Sequence, residues 1–587
     1  MALLAAGWLG GLVGGPGSFG GPGRAHAQAE HRPAPEDAAL LAELLAGRVD
    51  LPPERVVHVA PLPGEDGDGS AARPRRDLIH VVANAEAGTA IHLAPGVYDM
   101  SAIRDTYGHG SSRLKTEHAG EPGRPIVIRT EPDAYAAGET AVLDFAYQNR
   151  GDWSSTAFVV AHRHWTLERF ELRRVHRRGI GVNGFHTTLR ELHLHHADTD
   201  GRDNDALIVM QASGGRTQNV VAGNHLHHVG TIDRETDALL DRGFVNGGCY
   251  YSVTRLSYDS ETPEAGHDAS RADWEASLLR PDGHAYVVGN HVHDCHYGLG
   301  LKNNSRGPYW FLSNVVHDVD YGIFSPFRET VVRNNIVYDA ANAGVALGRA
   351  QTNGPLQTYL KMTGNGAHSE VANNTIVRAG GGLSFRTGWG TVVRDNLVVD
   401  GGPPVVIVRN SFAWWEEGSW PGLRGEYLLG DMGPEHPFWD FVPGYVQEAP
   451  EEYTRMRLEG NCYDREPVIG RADFTQATAD ITGMTFDVDV TLLDDAERAA
   501  LFVDDPADDY RLADPEAHCG SRIGDASPGV VTDAGAPDAS TPDAGPLDAG
   551  TAPSPTPTEG CSCRTAPAPS GWLPLLLALG LLSRRSR

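Results

Sequence analysis

The chain has 587 residues, with 77 acidic against 49 basic side chains and a formal net charge of -28. That balance excludes sequence-independent nucleic-acid binding, which needs clustered Lys and Arg against phosphate. The length is ample for a large core, and the six Cys suit an exported, oxidised chain.

Residues 1–27 read as a signal peptide. The apolar run ALLAAGWLGGLV leads to Ala25-His26-Ala27, a small-x-small pattern with cleavage expected after Ala27. Residues 28–77 are expected to form an N-terminal segment and cap, with one helical pattern in EDAALLAELLAG.

Residues 78–408 repeat. Similar segments open at Asn224, Asn290, Asn314, Asn335, Asn374 and Asn396, as in NHVHDCHYGLGL and NVVHDVDYGIF, while Phe170 and Leu192 fill the same slot in earlier copies. Spacings of 24, 21, 39 and 22 residues follow from Asn290 onward. A low-twenties period with two β-rich runs around a turn predicts a solenoid. The expected fold is all-β, a right-handed parallel β-helix with loop insertions.

The residue two after each anchor is aliphatic: Leu172, Leu194, Leu226, Val292, Val316, Val337, Ile376 and Val398. Strand side chains alternate between faces, so these are predicted to stack in one interior column. A second column is predicted from Ile180, Leu299, Ile323, Val345 and Leu383. The repeated Asn is predicted to form an internal amide ladder. Four Cys in the body allow three pairings; proximity favours Cys249–Cys295 and Cys462–Cys519.

Several outward constellations carry chemistry. His193 and His195, His225 and His227, and His291 and His293 fill the same two slots in three copies, and His317 continues one column. Such a surface suits Zn²⁺ or a general base, or is a plain stacked ladder. ADTDGRDND supplies Asp198, Asp200, Asp203 and Asp205, a set suited to Ca²⁺, which takes six to eight oxygens. An acidic solvent loop is the other reading. Lys302 lies twelve residues after Asn290, and Arg386 twelve after Asn374. Coils stack about 4.8 Å apart, so Lys302, Arg306, Arg328 and Arg349 are predicted to make a basic strip on an acidic protein. The alternative is a set of solvated turn-edge cations.

Residues 409–457 form an aromatic-rich insertion in which Trp414, Trp415 and Trp439 either line a saccharide cleft or build a small local core. Residues 458–528 read as a C-terminal β region and cap, and 529–560 as a Pro/Ala/Asp linker. Residues 561–587 hold Cys561, a short apolar run from Trp572, and Arg584, Arg585 and Arg587, with the charge placed to stop a membrane segment.

This tail resembles the C-terminal sorting signals of myxobacteria. The resemblance implies a sorting protease acting at Cys561 and display at the cell surface or outer membrane. Separately, IHLAPGVYDM, GEPGRPIVIRTEP and HRHWTLERFEL resemble the first coils of right-handed parallel β-helix proteins of the pectate lyase and chondroitinase-B/alginate lyase type. That resemblance implies a polysaccharide lyase acting on an acidic polysaccharide, with Lys302 as base and Arg328 and Arg306 on the sugar carboxylate. Arg349, Arg386, Trp414, Trp415 and Trp439 would contact substrate, and Ca²⁺ is the candidate cofactor. A monomer is expected. Two other readings stand beside it: a noncatalytic glycan-binding surface protein, and a glycoside hydrolase with two carboxylates about 5–9.5 Å apart.

Overall fold

A computed structural model describes residues 31–148, 155–199, 205–210, 218–242, 247–252, 285–301, 309–325, 329–348, 369–385, 390–407, 455–467, 485–504, 509–514 and 518–525. Ala27, Cys561, the linker and the sorting tail lie outside these residues. The chain groups into Met1–Ser527 and Pro528–Arg587, and the second unit is wholly outside the described set. No helix among the described residues is long and apolar enough to cross a membrane.

Successive turns of chain pair in parallel, and the pairings sort into three stacked faces. The first face runs through Ala141–Asp144, Glu171–His176, His193–Asp198 and the starts of the strands beginning at His225, His291, Val315 and Ile336. It continues through Thr375–Val377 and Leu397–Val399 to Cys462 and Tyr463. The second runs through Thr156–Val160, Arg178–Val182, Ala206–Met210, Gly248–Ser252 and the ends of the three long strands. The third begins with Arg55–Val59 on Thr89–Leu93 and continues in register to Arg455–Tyr463 and Thr485–Leu492. This is a parallel β-helix, and its pairing extends on both sides of the expected 78–408.

The interior follows the sequence columns. Leu172, Leu194, Leu226, Val292, Val316, Val337, Ile376 and Val398 pair in unbroken register, and all are buried. Ile180, Leu299, Ile323, Val345 and Leu383 form the second column, with Ile208 and Tyr250 filling the coils between. Burying such a column removes apolar surface from water at about 25 cal/mol per Å².

The Asn residues form a continuous amide ladder. Asn290 Nδ2 donates to Asn314 Oδ1 (2.9 Å) and to Val221 O (3.0 Å), while its Oδ1 accepts from Asn224 N (3.0 Å) and Nδ2 (2.9 Å). The same bonds continue through Asn335, Asn374 and Asn396 to Asn461. Every polar atom of these buried amides is satisfied, as a buried amide requires.

Between the first and second faces each coil turns through one residue in the left-handed region. These are Arg174, His196, His228, Asp294, Asp318, Asp339, Arg378 and Asp400, with φ between 50° and 59°. Asp and His tolerate that conformation better than most side chains, and they fill six of these eight corners.

Two outer elements brace the coils. The helix Pro35–Leu45 lays Leu40, Leu41 and Leu44 against Tyr286, Val288 and Leu312. Its buried Asp37 accepts from Ser313 Oγ (2.7 Å) and Asn334 Nδ2 (2.9 Å) and pairs with Arg333. Tyr510, Leu512, Cys519 and Ile523 cover Val315, Ile336, Val377, Leu397 and Val399 on the outside of the first face. Both favoured disulfides are present, Cys249–Cys295 between neighbouring coils and Cys462–Cys519 holding down the covering segment.

Candidate functional site

Outward positions of the first face divide into two halves. From the strand beginning at Val315 onward, Val315, Ile336, Tyr338, Val377, Leu397 and Val399 are apolar and covered, while His317 belongs with the polar half. Before that strand they are polar, and three columns meet there. The first holds Glu171, His193, His225 and His291; the second holds His195, His227, His293 and His317. The third is the left-handed corner, with His196, His228, Asp294 and Asp318.

Within a column the rings lie face to face. His195, His227, His293 and His317 stack at centroid spacings of 5.0, 4.8 and 4.8 Å, and Tyr338 continues the stack. Between columns the contacts are diagonal. His193 Nε2 meets His227 Nε2 at 2.8 Å, His225 meets His293 at 2.9 Å, and His291 meets His317 at 2.8 Å. Glu171 Oε1 takes the same role against His195 Nε2 at 3.1 Å. Each close N···N pair requires one ring to donate and the other to accept, so the rings share protons as hydrogen-bonded neutral imidazoles.

The corner residues hold the outer nitrogens of the second column. His293 Nδ1 donates to Asp294 Oδ2 and His317 Nδ1 to Asp318 Oδ2, both at 2.8 Å. In the two preceding coils His195 and His227 instead meet the Nδ1 atoms of His196 and His228. Arg242, from the hairpin that follows His228, lies 3.7 Å from both Asp294 and Asp318.

Burial and mutual repulsion push several of these rings toward the neutral form. Burial, then the charge of His195, lowers His193 to about 4, and burial with the same neighbour lowers His196 to about 4. Burial drives His225 and His227 lower still, with His193 and His293 adding respectively. Burial, the largest influence, would raise Asp294, but the bond from His293 and the charges of His293, His228 and Arg242 together outweigh it and the carboxyl is held low. The bond from His317 is the main cause that lowers Asp318. Asp294 and Asp318 are thus held low beside imidazoles of which His193, His196, His225, His227, His228 and His293 are pushed toward the neutral form.

The basic residues singled out by sequence fall elsewhere. Lys302, Arg306, Arg328, Arg349 and Arg386, like Trp414, Trp415 and Trp439, lie outside the described residues. The strands leading to the basic ones are described, and they end in register: Ser252 pairs with Leu301, Gly300 with Phe324, Ser325 with Leu347, and Leu347 with Phe385. Outside the second face Tyr297 and Tyr321 stack at 5.2 Å and contact Phe324, a cluster that sequence reading did not single out.

Of the acidic run, Asp200 and Asp203 lie outside the described residues. Asp205 is fully buried between Arg177 (2.8 Å) and Arg178 (3.3 Å), and Asp198 pairs with Arg234. Both carboxylates are already neutralised by guanidinium groups. As they stand they do not fit Ca²⁺, which would have to displace the arginines.

The chain is similar over 150 residues to pectate lyase L of Dickeya chrysanthemi and to that of Dickeya dadantii, at 28% identity in each case. The alignment takes in 25% of this chain, and the chain spans about a third (33%) of the length of these curated relatives. No protein-family model matches. Among solved structures, pectate lyase Pel9A aligns with 61% of this chain and 78% of its own, at 14% identity and TM-score 0.37. A mannuronic acid specific polysaccharide family 6 lyase from human gut microbiota aligns with 71% of this chain and 77% of its own, at 13% identity and TM-score 0.38.

Proposed function

We propose that this chain cleaves a uronate-containing polysaccharide by β-elimination, with Lys302 as the base. The observation that carries this reading is the 150-residue likeness to pectate lyase L in a chain whose coils pair as a parallel β-helix. The aligned strand ends support it. Lys302 and Arg386 directly follow Leu301 and Phe385, Arg328 follows Ser325 by three residues, and Arg349 follows Leu347 by two.

In the proposed reaction Lys302 removes the proton at C5. The electron pair left behind forms the C4–C5 double bond, the C4–O bond breaks, and the departing oxygen takes up a proton. Arg328, with Arg306, holds the sugar carboxylate and stabilises the negative charge that develops on it. A lysine base must be unprotonated near neutral pH, a state that neighbouring guanidinium groups favour. Tyr321, half-buried against Tyr297 and Phe324, is the ring of this cluster on which a sugar can stack. Export past Ala27 and anchoring through the Cys561 tail would place this activity at the cell surface.

The test incubates the full chain with pectate, alginate, chondroitin and hyaluronan, with and without Ca²⁺, and follows ultraviolet absorbance of the unsaturated uronate product. A rise on one substrate is the expected result. New reducing ends without that absorbance would assign a hydrolase instead. Binding without either product would assign a glycan-binding surface protein.

A further inference from the structure

We propose that His291, His293 and His317 form a binding site for a divalent transition metal, with Zn²⁺ as the defining ligand. The site is independent of the lyase reading, since it lies on the outside of the first face and uses none of the proposed catalytic residues.

One ring nitrogen from each of the three residues lies within 4.8 Å of the others. His291 Nε2 and His317 Nε2 are already 2.8 Å apart. Zn–N bonds of about 2.0–2.1 Å in a tetrahedron set ligand nitrogens about 3.3 Å apart. That pair therefore needs to open by roughly half an ångström, and His293 needs to close toward it. These are side-chain rotations on an otherwise fixed strand ladder.

The outer shell is the second observation. Metal-bound histidines usually donate the other ring N–H to a carboxylate, which fixes the tautomer and raises ligand basicity. His293 and His317 both do so, to Asp294 and Asp318. With the proton held at Nδ1, each presents the Nε2 lone pair inward. The two carboxylates add negative charge behind the ligands, only partly offset by Arg242 at 3.7 Å.

The donor set also selects the metal class. Three imidazoles and no carboxylate oxygen suit zinc, copper, nickel or cobalt, whereas Ca²⁺ and Mg²⁺ require oxygen ligands. A second triad, His193, His225 and His227, shares no residue with the first. Its His227 faces His228 in place of a carboxylate, so it lacks the feature that makes the first site strong.

The full chain is stripped with a chelator, dialysed against Zn²⁺ alone and analysed for bound metal. At least one tight equivalent is expected, not displaced by excess Ca²⁺ or Mg²⁺. His317→Gln is expected to lose it, His193→Gln and His58→Gln to keep it, and Asp318→Asn to weaken it about 10–100-fold. Tight binding that survives His317→Gln, or no tight binding by the wild-type chain, would overturn the proposal. Should a variant fail to fold, X-ray absorption of the Zn-loaded wild-type chain decides: a shell of imidazole nitrogens is expected, and an oxygen-dominated shell refutes the site.

Discussion

At the scale of single residues, hydrogen-bond satisfaction sets the cost of change. Asn335 Oδ1 accepts from both the backbone N and the Nδ2 of Asn314, each at 2.9 Å. Asn335→Ala strands both donors in the interior. Each unsatisfied buried group costs about 1–3 kcal/mol, and a drop of at least that size is expected in urea unfolding. Titration adds a second expectation. Burial, then Arg129, lowers His92 to about 4, and burial, then His186, lowers His164 to about 4. The unfolded chain protonates these histidines near 6.5, so between about pH 6.5 and 4 it binds more protons than the native state. Their contribution to stability is therefore present above about pH 6.5 and is lost as pH falls through that window. Thermal unfolding should show a shallower slope over this range in the His92→Gln, His164→Gln double variant. An unchanged slope would contradict the assignment.

At the scale of elements, sequence patterns reveal what obeys strand alternation and hide what departs from it. The interior columns and the Asn ladder are legible because identical residue types recur at a constant offset. Asn461, the last rung, is not, because 65 residues separate it from Asn396 and the aromatic-rich insertion lies between. The H-x-H pairs are legible because alternation puts both rings on one face. Their partners His196, His228, Asp294 and Asp318 are not, because a left-handed corner turns the next side chain back beside its neighbour. The repeated doublets HH and HD at that offset were the available signal. The flank elements are legible as helix or strand but not in their docking, which depends on contacts almost 300 residues apart in sequence, such as Asp37 with Arg333. Asp37→Ala removes one partner of a buried pair, and a loss of about 3–5 kcal/mol is expected, with faster hydrogen exchange over Pro35–Leu45. Reduction of Cys462–Cys519 is expected to cost about 2–4 kcal/mol and to release the segment from 518 to 525 to proteolysis before the coils unfold.

At the scale of the whole molecule, the rigid parallel stack sets residues from distant parts of the sequence side by side at one strand spacing. On the first face that stack produces a histidine array backed by carboxylates. On the second it brings a series of strand ends into register, each followed closely by a Lys or Arg. The proposed anionic polymer would meet those cations despite the acidic net charge of the chain, because local charge governs contact and global charge governs solubility. The proposed reaction depends on one of those side chains giving up its proton so that it can take another. The most direct measurement compares unsaturated uronate formation by the wild-type chain and by Lys302→Ala on the substrate that responds, with circular dichroism confirming the same fold. The proposed mechanism predicts a fall of about 10²–10⁴-fold, the usual contribution of a positioned general base. An undiminished rate in Lys302→Ala would contradict it.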